Sequence, residues 1–171
     1  LISTLWSARD NAKASENAVL SQAIKIIMNS FYGILGTMGC RFLDSRLASS
    51  ITKRGHEILI LSKKFIEDAG YQVIYGDTDS VFVLLGPVED SQVKVIGEGL
   101  TSQINEWWTK KLREKYDIPS FLEMEFETHF SKFLMPTVRG SDAGSKKRYA
   151  GLVVDSRNPD KSRLLFKGLE S

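Results

Sequence analysis

The chain has almost no cysteine: Cys40 is alone in 171 residues. A single thiol excludes a disulfide framework within the chain and fits a reducing compartment. No run of about 18 or more apolar residues occurs, so no membrane span is expected. The chain has no initiator methionine, and its opening "LISTLW" lacks the charged-then-apolar layout of a signal peptide. There is no internal repeat and no low-complexity tract. The net charge of +2 is too small to argue for a polyanionic partner by itself. The first residues already belong to an apolar pattern, and the last, "FKGLES", directly follow a strand-like run. Both ends are therefore expected to lie inside a longer protein.

What is present is a soluble globular composition, 42% hydrophobic and 26% charged, long enough for one ordinary domain or one and a half subdomains of a larger protein. The charge is unevenly spread. From Arg139 to Lys167 eight Lys/Arg face three Asp/Glu, whereas from Gly86 to Thr128 nine acids face five bases. The basic end suits phosphates, and a solvated basic surface explains it as well.

The hydrophobic periods predict mixed elements. Helical spacing covers residues 1 to 13, Leu20 to Tyr32, about Ser45 to Ala69 with Gly70 as its stop, and about Ser91 to Tyr116. The first two helices, joined by the polar "KASEN", form a helical hairpin. The glycine-rich "GILGTMGCRF" is irregular. The runs "YQVI" and "VFVLL" read as a β-hairpin, and "FLEMEFET" alternates as a strand with Leu122, Met124 and Phe126 on one face and Glu123, Glu125 and Glu127 on the other. "RYAGLVV" and "RLLFKG" are two further strands joined by "DSRNPDK".

Between the hairpin runs lies "YGDTDS", residues 75 to 80. Gly, Asp and Ser are ordinary turn formers. A cheaper turn would not use two carboxylates, however, and strongly apolar flanks are expected to bury the hairpin, where unneutralised charge is costly. Acids at i and i+2 around a bend bring oxygens towards one point, which suits a hard cation such as Mg²⁺. The same pair also occurs where glycosyltransferases hold an ion against a sugar-nucleotide diphosphate.

On the second helix Lys25, Asn29 and Tyr32 form one stripe at i, i+4 and i+7, with Ile26, Ile27 and Phe31 expected to pack inward. Lysine binds phosphate as a point charge, asparagine donates hydrogen bonds, tyrosine presents a flat ring, and Gly33 permits close approach. An ordinary polar face explains the stripe too. Arg9 and Lys13 are again four apart on the first helix, so antiparallel packing would bring three cations to one polyphosphate.

Taken together, these stretches resemble the family B DNA polymerases, and within them the bacterial DNA polymerase II group. "KIIMNSFYG" matches the fingers-helix motif and "YGDTDS" the palm signature. "KKRYAG" at 146 to 151 and "FKGLE" at 166 to 170 match two later motifs in the right order. The resemblance implies an α+β fold: a palm with a mainly antiparallel sheet on helices at 36–171, and a fingers helical hairpin at 1–35. It implies that Asp77 and Asp79 hold two Mg²⁺ ions, with Glu125 and Glu127 as acids close to them. Arg9, Lys13, Lys25 and Asn29 would grip the incoming dNTP, and Tyr32 and Gly33 would line the nascent base pair. Lys146, Lys147, Arg148, Tyr149, Lys167 and Gly168 would contact primer–template DNA. The expected setting is the bacterial cytoplasm near the nucleoid, with a sliding clamp as a further partner of the parent.

The family's other metal-binding aspartate, in an Asp-x2-Ser-Leu-Tyr-Pro stretch, does not occur here. The chain alone is therefore expected to be inactive. Two alternatives remain at this point: a DNA-binding or assembly module that keeps the fold, and a metal-dependent glycosyltransferase.

Overall fold

The structure, a computed structural model, describes residues 1–137, 140, 147–155 and 158–168, the side chains of 155 and 158–161 excepted. Helices and strands are mixed, with α1 (Ile2–Ala14), α2 (Ala18–Leu35), α3 (Ser45–Asp68), β1 (Gln72–Asp77), β2 (Ser80–Leu84), α4 (Asp90–Tyr116), β3 (Phe130–Leu134), β4 (Tyr149–Asp155) and β5 (Asn158–Lys167). The strands form two small antiparallel sheets, β1-β2 and β3-β4-β5. The class is α+β. The chain divides into two units, Leu1–Glu57 and Ile58–Ser171, and α3 contributes residues to each.

In the first unit α1 and α2 form the expected helical hairpin. The link turns at Glu16, whose φ is 55°, and Asn17 caps α2 by accepting a hydrogen bond from the Leu20 amide at 3.0 Å. Ala12 and Ile24 are its buried apolar residues. The inward stripe of α2 is Ile24, Met28 and Phe31, one position away from Lys25, Asn29 and Tyr32. The expectation that Ile26 and Ile27 pack inward is thus corrected: they are 59% and 48% exposed. The two stripes lie side by side because adjacent helical residues differ by about 100°, and only one of them can face α1.

The expectation of no membrane span rested on the lack of an unbroken apolar run. With its polar residues averaged in, α2 is nevertheless long and apolar enough to cross a membrane by length and composition. Lys25 stands near its middle, where a bilayer charges about 2.5–3.5 kcal/mol for a basic residue on insertion scales. Beyond α2, Asp44 caps α3 by accepting the Arg46 amide at 2.9 Å. The Arg46 guanidinium, then its backbone N–H, hold the Asp44 carboxyl below the usual carboxylate range.

The second unit is built around Ile66, Ile104 and Trp108, contributed by α3 and α4. Trp108 Nε1 donates to Ser62 Oγ at 2.9 Å, and Ser62 is fully buried. The indole therefore buries its ring without stranding its N–H. Val73, Val81 and Val83 lay one face of the β1-β2 hairpin on this core.

"FLEMEFET" shows the predicted alternation in burial, Leu122, Met124 and Phe126 half-buried and the glutamates exposed, yet it is not a strand. Its backbone bonds instead to side chains: the Leu122 amide donates to Ser120 Oγ at 3.2 Å, and Met124 pairs with Asn105. Asn105 Nδ2 donates to the Met124 carbonyl at 3.0 Å and Asn105 Oδ1 accepts the Met124 amide at 2.8 Å. Phe126 fits because α4 has Gly97 beneath it: a Cβ there would stand 2.5 Å from the ring.

Strand β3 was not foreseen. Its two phenylalanines, Phe130 and Phe133, are three apart, which defeats a period of two. A register shift between Phe130 and Lys132 restores them to one face.

Ser62→Ala should destabilise the chain by about 1–3 kcal/mol, the cost of leaving the Trp108 N–H buried without an acceptor. Urea unfolding followed by tryptophan fluorescence checks this as a lower midpoint at unchanged slope.

Candidate functional site

The acid turn is where β1 becomes β2. Asp77 pairs with Ser80 as the last rung, leaving Thr78 and Asp79 as a two-residue loop. Thr78 has a φ of 51°, unusual for a β-branched residue, and the Asp79 amide donates to the Asp77 carbonyl two residues back. Thr78 Oγ1 donates to Asp77 Oδ1 at 3.0 Å, and Ser80 Oγ donates to Asp79 Oδ1 at 3.2 Å. Each carboxylate keeps lone pairs for another donor or a cation. The turn is not buried as the apolar flanks suggested: Asp79 is exposed and Asp77 half-buried. The valines that made the flanks apolar face the helices, and the turn projects beyond them.

A bulge sets which way the hairpin's other residues point. Val73 pairs with Val83, but Tyr75 pairs with Phe82, so Ile74 is the extra residue. It reverses the alternation, sending Val73 towards the helices and Tyr75, with Asp77 two residues on, to the opposite face. There Tyr75 and Phe82 rings lie 5.4 Å apart, and Phe82 meets Phe130, Phe133 and Tyr149 at 6.2, 5.3 and 5.3 Å. This aromatic layer joins the acid hairpin to the second sheet.

The layer also brings three of the sequence motifs together. The Tyr75 hydroxyl accepts a hydrogen bond from the Lys147 amide at 2.8 Å. Lys147 has a φ of 63°, and its carbonyl lies against Gly168, where a Cβ would come within 2.2 Å of that oxygen. Gly168 itself has a φ of 63°. Tyr149 is buried and pairs across the sheet with Lys167. Lys147, Arg148 and Lys167 are exposed. Lys146 lies outside the described residues.

In the first unit Lys13, Lys25, Asn29, Tyr32 and Gly33 are exposed. The Tyr32 hydroxyl shares a hydrogen bond with Thr52 Oγ1 at 2.8 Å. Arg9 Nε is buried without a hydrogen-bond partner among the described residues. An orphan guanidinium donor of this kind suits an anion.

Among the described residues no three His, Cys, Asp or Glu side chains gather into a metal-ligand group. Glu125 and Glu127 lie on the exposed side of their extended segment. Asp77 and Asp79 offer hard oxygen donors from one turn. That set fits Mg²⁺, which is commonly held by one or two carboxylates together with substrate phosphates.

Residues 4–171 match the family model described as DNA polymerase family B. The chain belongs to DNA polymerase family B. It is 55% identical over its whole length to DNA polymerase II of Escherichia coli K12, of which it covers 22%. It is 30% identical over 80% of its length to the DNA polymerase alpha catalytic subunit of Mus musculus, covering 8% of that protein. With the DNA polymerase of Archaeoglobus fulgidus it shares 31% identity over 89% of its length, covering 16%. The chain thus spans about a fifth or less of these relatives. Family membership sets aside the glycosyltransferase reading of the acid pair.

Sequence reasoning gave no role to Tyr75, although it stands at the head of the quoted "YGDTDS". The signal was present in a tyrosine two residues before the first acid on a strand, but the bulge that turns it outward cannot be read from periodicity.

Gly168→Ala should cost about 1–3 kcal/mol for the left-handed backbone alone, and the clash with the Lys147 carbonyl adds to it. Thermal unfolding of the variant checks the loss.

Proposed function

We propose that this chain is part of a template-directed DNA polymerase that adds dNTPs to a primer 3′ end, with Leu1–Leu35 as a fingers hairpin and the remainder as palm. The observation that carries this reading is the Tyr75–Lys147–Gly168 contact. It ties one residue from each of three motifs together, Tyr75 of "YGDTDS", Lys147 of "KKRYAG" and Gly168 of "FKGLE", which supports reading them as parts of one site.

The division of labour follows from the side chains. Asp77 and Asp79 would hold Mg²⁺ with the substrate's phosphates, and Glu125 and Glu127 would stand near them. When bound, the ions would stabilise charge on the attacking and leaving oxygens. The chain's own part is positioning and electrostatics. Arg9, Lys13 and Lys25 offset the charge of the triphosphate and Asn29 donates a hydrogen bond to it, and Arg9 brings a donor with no partner among the described residues. Tyr32 and Gly33 line the base pair being formed.

Lys146, Lys147, Arg148 and Lys167 hold the primer–template, while Gly168 and the buried Tyr149 shape the backbone that presents them. Phosphate contacts of this type fix register without reading sequence, which suits an enzyme whose specificity comes from base pairing. The 55% identity to a bacterial DNA polymerase II supports a bacterial cytoplasmic setting for the parent.

Asp79→Ala in the full-length protein should lower kcat for primer extension by at least about 10³ while primer–template Kd stays nearly unchanged. In the same assay, residues 1–171 alone should give no template-directed extension with Mg²⁺ and four dNTPs. A variant with ordinary kcat would remove Asp79 from the site.

A further inference from the structure

We infer that Tyr75 is a positioning residue for DNA binding: its hydroxyl holds the Lys147 backbone so that the basic segment and the acid turn form one rigid element. This rests on the polymerase reading above and deepens it. The hydrogen bond is 2.8 Å long and links residues 72 apart in sequence.

Both ends of the bond are held. The Tyr75 ring packs on Phe82, which in turn meets Tyr149, two residues beyond Lys147. The other end is a residue that needs holding, because a lysine at a φ of 63° occupies a sparsely populated backbone region. Lys147 is clamped on both sides, its amide by the Tyr75 hydroxyl and its carbonyl by the bare backbone of Gly168.

The side chains of Lys147 and Arg148 remain exposed, free of this clamp. Tyr75 thus fixes where the Lys147 side chain points without itself touching a phosphate. A phenylalanine would keep the ring contacts and remove only the acceptor. The Lys147 peptide would then relax towards negative φ, and its side chain would lose its fixed aim.

The test is a double-mutant cycle in the full-length protein, with Tyr75→Phe, Lys147→Ala and the pair, read as primer–template Kd at fixed ionic strength. Tyr75→Phe should raise Kd about 3- to 10-fold, the worth of one hydrogen bond, with the KM for dNTP unchanged. In the Lys147→Ala background the same change should add less than about twofold, because the two act through one side chain.

A Tyr75→Phe protein that binds primer–template like wild type overturns the inference. So do penalties that add in full, the pattern a general folding defect would give. Extension by the wild type is scored in parallel. Its absence would sink the polymerase reading, whereas normal extension with either contrary result sinks only the role of Tyr75.

Discussion

The single extra residue at Ile74 governs how the second unit is organised. A regular strand would put Val73, Tyr75 and Asp77 on one face, and that face would have to be either core or site. The bulge splits them. Val73 stays with Val81 and Val83 on the α3–α4 core, while Tyr75 turns to the aromatic layer and Asp77 follows it. One hairpin is thereby anchored on its helix side and presents Tyr75, Phe82 and Asp77 on its other side. Its turn needs no burial of charge, which explains why two carboxylates are tolerated there.

The aromatic layer carries the next step. Phe82 touches Phe130, Phe133 and Tyr149, so the second sheet is fixed against the hairpin by rings rather than by backbone pairing. Ring contacts of this kind leave the strand ends free. At those ends the Lys147 peptide lies between the Tyr75 hydroxyl and Gly168, and exposed cations follow from it. The acid hairpin and the segment at Lys147 are thus joined through the Tyr75 hydroxyl rather than by an ion pair.

Much of this was legible in the sequence. Long helices such as α3, which ends at Asp68 just before the expected stop at Gly70, and α4, which ends at Tyr116, follow from periodicity and a glycine stop, and so does the hairpin around "GDTD". The family was legible because four motifs occur in order. Two of the features the sequence hid share a physical cause: a bulge breaks the period on which pattern reading depends. Phe130 and Phe133 are out of phase until the shift in β3 aligns them, and strict alternation would put Tyr75 on the face of Val73. The segment from Phe121 to Thr128 alternates like a strand but takes hydrogen bonds from Asn105, a partner that no local pattern announces. On α2, Phe31 packs inward as expected whereas Ile26 and Ile27 do not, because apolar residues surround most of the helix.

The central claim is that the acid turn and the basic segment form one site. A Mn²⁺ titration of the ¹⁵N-labelled chain tests it directly, since a bound paramagnetic ion broadens the amide signals near it. The account predicts that the signals of Asp79 and Lys147 broaden together at the same Mn²⁺ level, and that both effects vanish in Asp79→Ala. Broadening confined to the hairpin, with Lys147 to Tyr149 unaffected, would contradict it.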